Sequence, residues 1–358
     1  MIKSFHIRNF KNIENLEIPL LKRINLIVGK NSVGKSTLLE AISIYLADGD
    51  ESYIRDVLRE RGESISLKRE DADYGNIVKQ HYLSLFSGWR EDYSKDFCIN
   101  LEEAGKDALR IRQVYISEFQ DSINTKYQLL HQEDVDGGDS HYAISSKGLL
   151  VEKAGNVSII NYNRQRQSAM KPFPFQMVMA FELDRFSNAY LFDKVSLSSD
   201  EDYIIKALNI INPDIERIAF VADDNDSRYR IPKVSLRNSD KRVRLSSMGD
   251  GLNRVLTIIL SLLNAKDGVL LLDEFEAGLH YSIQKKLWEI IFFLAEELNV
   301  QVFVTTHSSD SVRSFGLVNQ KEQGLLIRLE QRTSGIVSVG YEDNSEIVFA
   351  AENQIELR

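Results

Sequence analysis

"GKNSVGKS", Gly29 to Ser36, is the stretch whose reading decides the fold. It satisfies the pattern G-x-x-x-x-G-K-[ST] in full. The run before it, "RINLIVG", is nearly continuous in apolar residues and predicts a strand buried on both faces. From Thr37, "TLLEAISIYLA" has helical spacing, with Leu38, Ile42 and Leu46 on one side. Strand, glycine-rich turn and helix are the context that a phosphate-binding loop requires. Backbone N–H groups of the turn and of the helix start converge on phosphate oxygens, so Gly29, Asn31, Ser32, Gly34 and Thr37 are predicted to form the cradle. Gly34 lets the backbone come close, Lys35 reaches the outer phosphates, and the Ser36 hydroxyl completes a magnesium shell.

Working outward, three further stretches carry chemistry. "VLLLDE" ends a buried strand on Asp273 and Glu274, where a parallel sheet presents residues to its ligand crevice. Alternation points the two carboxylates in different directions: Asp273 can hold magnesium, and Glu274 can take or orient the proton of an attacking water. "QVFVTTH" is a second apolar strand that delivers His307, an imidazole able to bond a terminal phosphate or that water. "LSSMGDGLNRVL", Leu245 to Leu256, places serines and glycines before an amphipathic helix, an anion-ready terminus without a lysine. The alternation of strand and helix through these segments predicts a parallel sheet flanked by helices.

Composition sets the frame. The 358 residues, 43% hydrophobic and 27% charged, can build one large core or two lobes. Fifty-three acidic against 44 basic residues give a net charge of −9, which argues against a broad positive field. The single cysteine, Cys98, fits a reducing compartment, so a cytoplasmic location is expected; no apolar stretch approaches a bilayer span of about 20 residues, and no membrane partner is expected. "SFHIRNF" and "ENLEIPL" read as short N-terminal strands. Residues 48 to about 156 are polar and uneven, with strand-like pieces at "DFCINL", "ALRIRQVYI" and "LLVEKA", and read as an inserted lobe. "DYIIKALNIINP" reads as a helix stopped by Pro213, "IERIAFVAD" and "YRIPKVSLR" as strands, and "GLLIRLEQRTSGIVSVGYE" as a terminal hairpin.

Taken in order, the phosphate loop, "SSMGDG", "LLLDE", "EAGLH" and "TTH" resemble an ABC-type ATPase head. The opening "FHIRNFKNIENLEI" and the forms "EFEAGLHYSIQ" and "QVFVTTHSSD" are most similar to the soluble branch related to the structural-maintenance-of-chromosomes (SMC) and overcoming-lysogenisation-defect (OLD) ATPases. The resemblance implies an α/β P-loop fold with an antiparallel N-terminal part, a discontinuous core at 1–47 and 240–330, an inserted and helical region at 48–239, and a hairpin and tail at 325–358. It implies ATP and Mg2+ as cofactors and a head-to-head homodimer, in which Ser247 and Gly249 of one chain meet the terminal phosphate held by the other. Ala277, Gly278 and Leu279, with His280 near them, correspond to the loop that touches the opposite subunit. Met248 and Asp250 depart from the commonest signature. The magnesium-sensing glutamine has no firm match; Gln120, Gln165 and Gln167 are candidates. The resemblance further implies control of a separate effector, such as a nuclease, in bacterial anti-phage defence. The rival reading is a repair ATPase that clamps DNA, for which Lys233, Arg237, Lys241, Arg242 and Arg244 would supply a basic groove. A transporter subunit is disfavoured by the long polar insertion. "EDVDGGDS" and "VADDNDSR" lack EF-hand spacing, and Glu133, Asp134 and Asp136 lack flanking strands that would position them as nuclease acids.

Overall fold

The computed structural model describes residues 1–59, 74–121, 124–136, 144–163, 173–179, 185–223, 226, 229–237, 242–249, 251–319, 323–333, 335–341 and 344–352. The chain opens with the hairpin β1 (Phe5–Phe10) and β2 (Ile13–Ile18), then passes through β3 (Ile24–Gly29) into α1 (Lys35–Leu46). Helices α2 (Glu51–Leu58) and α3 (Tyr74–Leu83) follow, then β4 (Cys98–Glu102), β5 (Leu109–Asp121), β6 (Asn124–Leu130), the short α4 (Gln132–Asp136), β7 (Ile144–Lys153) and β8 (Asn156–Asn161). Next come β9 (Phe175–Val178), α5 (Arg185–Val195), α6 (Asp202–Ile211), β10 (Ile215–Ala222), β11 (Arg230–Leu236) and β12 (Arg242–Arg244). The last part comprises α7 (Gly251–Asn264), β13 (Val269–Leu272), α8 (Tyr281–Glu297), β14 (Gln301–Thr305), α9 (Ser309–Val318), β15 (Gly324–Arg332), β16 (Gly335–Tyr341) and α10 (Asn344–Glu352).

The fold is α/β, and its central sheet has the order β16-β15-β3-β14-β13-β9. Every pairing from β15 to β9 is parallel, and only β16 runs against its neighbour. The inner strands β3, β13 and β14 are buried along their whole length and mostly apolar, because both of their faces are covered. Ile24, Leu26 and Val28 of β3, Leu270 and Leu272 of β13, and Val302 and Val304 of β14 enter one core with residues of α5 to α9. The alternate residues Ile27, Leu271 and Phe303 enter a second core with α1 and an antiparallel sheet. A period of two along each strand thus divides the molecule into three layers.

The antiparallel layer has the order β2-β1-β4-β5-β7-β8, with β6 also paired to β5. The polar stretch expected to form an inserted lobe therefore supplies five strands to the sheet that β1 begins. A smaller sheet, β10-β11-β12, lies beside the helical layer through Ile215, Phe220 and Val234. The hairpin β15–β16 is an extension of the central sheet, since β15 pairs along β3 from Gly324 to Leu329. Gln165, Gln167, Lys241 and Asp250 lie outside the described residues, as do parts of "EDVDGGDS" and "VADDNDSR"; Gln120 falls in β5. No helix among the described residues is long and apolar enough to cross a membrane.

Candidate functional site

The order of the central sheet sets the site. Strand β14 lies between β3 and β13, so their C-terminal ends bring the phosphate loop, the acidic pair and the "TTH" turn side by side. Strand β3 ends at Gly29, where φ is 149° and an added Cβ would lie 2.6 Å from the Leu329 carbonyl oxygen. A side chain there would collide with the next strand, so glycine is required. The loop crown, Lys30 to Ser32, is exposed, and the chain re-enters through Gly34, left-handed at φ 104°. Gly34 caps α1 without a side-chain bond, and the first turn of α1 holds no acid. The first N–H groups of α1 are thus uncapped by any side chain, which suits an anion.

Lys35 is buried and folds back over the loop, where Nζ donates to the carbonyls of Gly29 at 2.8 Å and Lys30 at 2.9 Å. Burial pushes its ammonium below the usual lysine range, while the carboxylates of Asp273, Glu276 and Glu274 pull the other way. Ser36 Oγ donates to Asp273 Oδ1 at 3.0 Å, joining α1 to the end of β13 across 237 residues of sequence. Thr305 Oγ1, on β14, donates to the same Asp273 oxygen at 2.5 Å. A hydroxyl and a carboxylate placed together are hard oxygen donors, so Ser36 and Asp273 fit Mg2+ bound with phosphate.

Glu274 follows in a left-handed conformation, φ 49°, which costs a non-glycine residue about 1–3 kcal/mol. The Glu274 N–H donates to Thr305 Oγ1 at 2.9 Å and the Phe275 N–H to the Thr305 carbonyl at 2.9 Å, so the kink is held by β14. Glu276 then accepts from Thr306 Oγ1 at 2.6 Å and from the His307 N–H at 2.7 Å, fixing the turn that carries His307. His307 lines one cavity with Lys35, Ser36 and Thr37.

Ser247 and Gly249 lie elsewhere. They are exposed in the turn between β12 and α7, and among the described residues neither lines the cavity at the phosphate loop. A Cβ on Gly251, which opens α7, would meet Leu279 Cδ2 at 3.1 Å and the Gly278 carbonyl at 3.3 Å. The serine turn and the "EAGLH" loop therefore share one exposed face, with Gly278, His280 and Tyr281 beside them.

Comparison with known proteins meets this geometry. The model of the AAA ATPase domain matches residues 1–145, and that of the AAA domain described as a putative AbiEii toxin of a type IV toxin–antitoxin system matches residues 177–313. The chain carries a P-loop ATPase core. Over 99% of its length, and the whole of the relative, the chain is 24% identical to a protein named ATP/GTP phosphatase from Helicobacter pylori. It is 23% identical to the DNA replication and repair protein RecF of Clostridium botulinum over 72% of this chain and 58% of that protein. Among solved structures, an SMC head bound to the C-winged helix domain of ScpA aligns over 95% of this chain and 97% of its own, with a TM-score of 0.48 and 14% identity.

Four residues of this ATPase core had no place in the sequence reading. Thr305 lies in "QVFVTTH" two residues before His307, and Glu276 opens "EAGLH". Asn12, in the β1–β2 turn, donates to the Ser32 carbonyl at 3.0 Å and accepts from Thr37 Oγ1 at 2.9 Å, and so clasps the loop from the antiparallel layer. Next to it, Lys11 pairs with buried Glu40 of α1 at 2.9 Å. Thr305→Val keeps the shape of the side chain and removes both hydroxyl contacts. It should cost about 1–3 kcal/mol of stability, because the Glu274 N–H loses its partner. In steady-state kinetics it should lower kcat roughly tenfold with little change in KM, by releasing the kink that aims Glu274.

Proposed function

We propose that the chain binds ATP with Mg2+ at Gly29 to Thr37 and hydrolyses it in a head-to-head homodimer. The observation that carries this reading is the 3.0 Å bond between Ser36 and Asp273, which unites the phosphate loop and the strand-end acid at one point. Ser36 and Asp273 would hold the ion, which would supply positive charge against the outer phosphates. Glu274 takes the proton of the attacking water, Lys35 turns from its loop carbonyls to the triphosphate, and His307 bonds the terminal phosphate.

Ser247 and Gly249 lie apart from their own chain's cavity, so they serve the nucleotide of a second copy. Each ATP then touches two chains, and binding stabilises the closed pair by linkage. Closure controls a separate effector, such as a nuclease, and the cytoplasmic role we assign is bacterial anti-phage defence. A second reading, direct clamping of DNA, draws on the similarity to RecF and on exposed Arg242 in β12; Arg244 is already paired with Asp223 at 3.0 Å. DNA binding whose affinity falls steeply with salt and requires ATP would favour it.

Mixing inactive variants tests the shared site. Lys35→Ala retains an intact serine turn and Ser247→Arg an intact phosphate loop, so their heterodimer holds one complete centre. An equal mixture should recover about one quarter of wild-type phosphate release, since half the pairs are mixed and half their sites complete. Full activity of Ser247→Arg alone would sink the shared-site reading.

A further inference from the structure

Helix α7 carries a single charged residue, Arg254, and buries it. Its neighbours Leu252, Val255, Leu256 and Ile258 belong to the core, and Arg254 itself is only 2% exposed. A guanidinium taken out of water is costly unless its N–H groups find acceptors. Here Nη1 donates to the Met179 carbonyl at 2.7 Å and Nη2 to the Asp273 carbonyl at 3.1 Å. Met179 and Asp273 come just after the last residues of β9 and β13, which pair in parallel as neighbours. The planar fork of arginine suits two carbonyls placed side by side at adjacent strand ends, and a lysine ammonium does not reproduce it.

The Asp273 carbonyl belongs to the same peptide unit as the Glu274 N–H. That N–H donates to Thr305 Oγ1 at 2.9 Å, so one planar unit is held at its oxygen by α7 and at its nitrogen by β14. The orientation of this plane sets the direction in which the Glu274 side chain leaves the backbone. Glu274 is left-handed, at φ 49°, a conformation that persists only where its surroundings over-determine it. A bond at the nitrogen alone would leave the oxygen end free to rock. The guanidinium removes that freedom, although Arg254 does not line the cavity at the phosphate loop.

We propose that Arg254 is a positioning residue for hydrolysis: it fixes the Asp273–Glu274 peptide plane, and thereby aims the Glu274 carboxylate at the attacking water. This rests on the reading above in which Glu274 takes the proton of that water.

The test compares Arg254→Met and Arg254→Lys in two backgrounds, wild type and Glu274→Gln, by single-turnover phosphate release and by ATP binding. In the wild-type background Arg254→Met should slow hydrolysis roughly tenfold to a hundredfold while ATP affinity changes less than about twofold, because the aim is lost and the phosphate cradle is not. In the Glu274→Gln background the same substitution should slow the residual reaction by less than about twofold, since residues that act through one group are non-additive. Arg254→Lys keeps the charge and can reach one of the two carbonyls, so it should recover part of the rate. It also carries the same comparison if the methionine variant does not fold. A role confined to stability predicts equal fractional losses in both backgrounds, and that result would overturn the assignment. So would full hydrolysis by a folded Arg254→Met protein, or ATP affinity that falls in step with the rate. Normal turnover in Glu274→Gln alone is a separate outcome: it would sink the proton-acceptor reading, and the role of Arg254 with it.

Discussion

Lys35→Ala is expected to abolish nucleotide binding, with no saturable ATP binding by calorimetry at concentrations that saturate the parent. The side chain is buried at the base of the loop, and its ammonium is shared between two backbone carbonyls. Alanine removes a buried cation at the base of the loop that offsets the nearby carboxylates of Asp273, Glu276 and Glu274. Repulsion from these acids adds to the lost attraction, and low local dielectric magnifies both. The fold should survive, because alanine suits the first turn of a helix and the freed carbonyl of Lys30 can reach water at the exposed crown. A folded Lys35→Ala protein with unchanged ATP affinity would remove the loop from the binding site.

Glu274→Gln is expected to do the opposite: bind ATP normally, lower turnover by about 10²- to 10⁴-fold, and trap the closed pair. Glutamine matches the shape of glutamate and meets the same left-handed backbone, so the N–H bond to Thr305 and the kink should persist. What is lost is the ability to accept a proton. Mass measurement with ATP should show a dimer in the variant that the wild type holds only briefly. Normal turnover in Glu274→Gln would take this residue out of the reaction and shift attention to Glu276 or His307.

The central frame was legible because its signals are local. The phosphate loop is contiguous, and β3, β13 and β14 are short, mostly apolar runs, the first two bounded by glycine or by charge. The helices α7 and α8 announced themselves by sustained spacing over 14 and 17 residues. Strand β9 escaped notice because it has four residues between Pro174 and a loop, and is defined by its parallel pairing with β13. The short helices α2, α9 and α10 did too, having ten residues or fewer and gaining their stability by packing on neighbours. Strands β4, β5 and β7 were visible and β6 and β8 were not, and the membership of all five in the sheet of β1 depends on pairings such as Arg8 with Asn100, which no local pattern encodes. The same limit applies within the site. Asn12 lies 25 residues from Thr37, and Thr305 lies 32 from Asp273, so the roles of both emerge only after the layers have assembled.

The clasp made by Asn12 has a mechanical consequence. The phosphate loop is tethered to the turn of a seven-stranded sheet by one hydrogen bond at Ser32 in its crown and one at Thr37 in the first turn of α1, and Lys11 adds an ion pair to the same helix. A tilt imposed on the outer edge of that sheet would be delivered through β1 as a small displacement of the loop. The antiparallel layer would then act as a lever arm whose short end is the phosphate cradle.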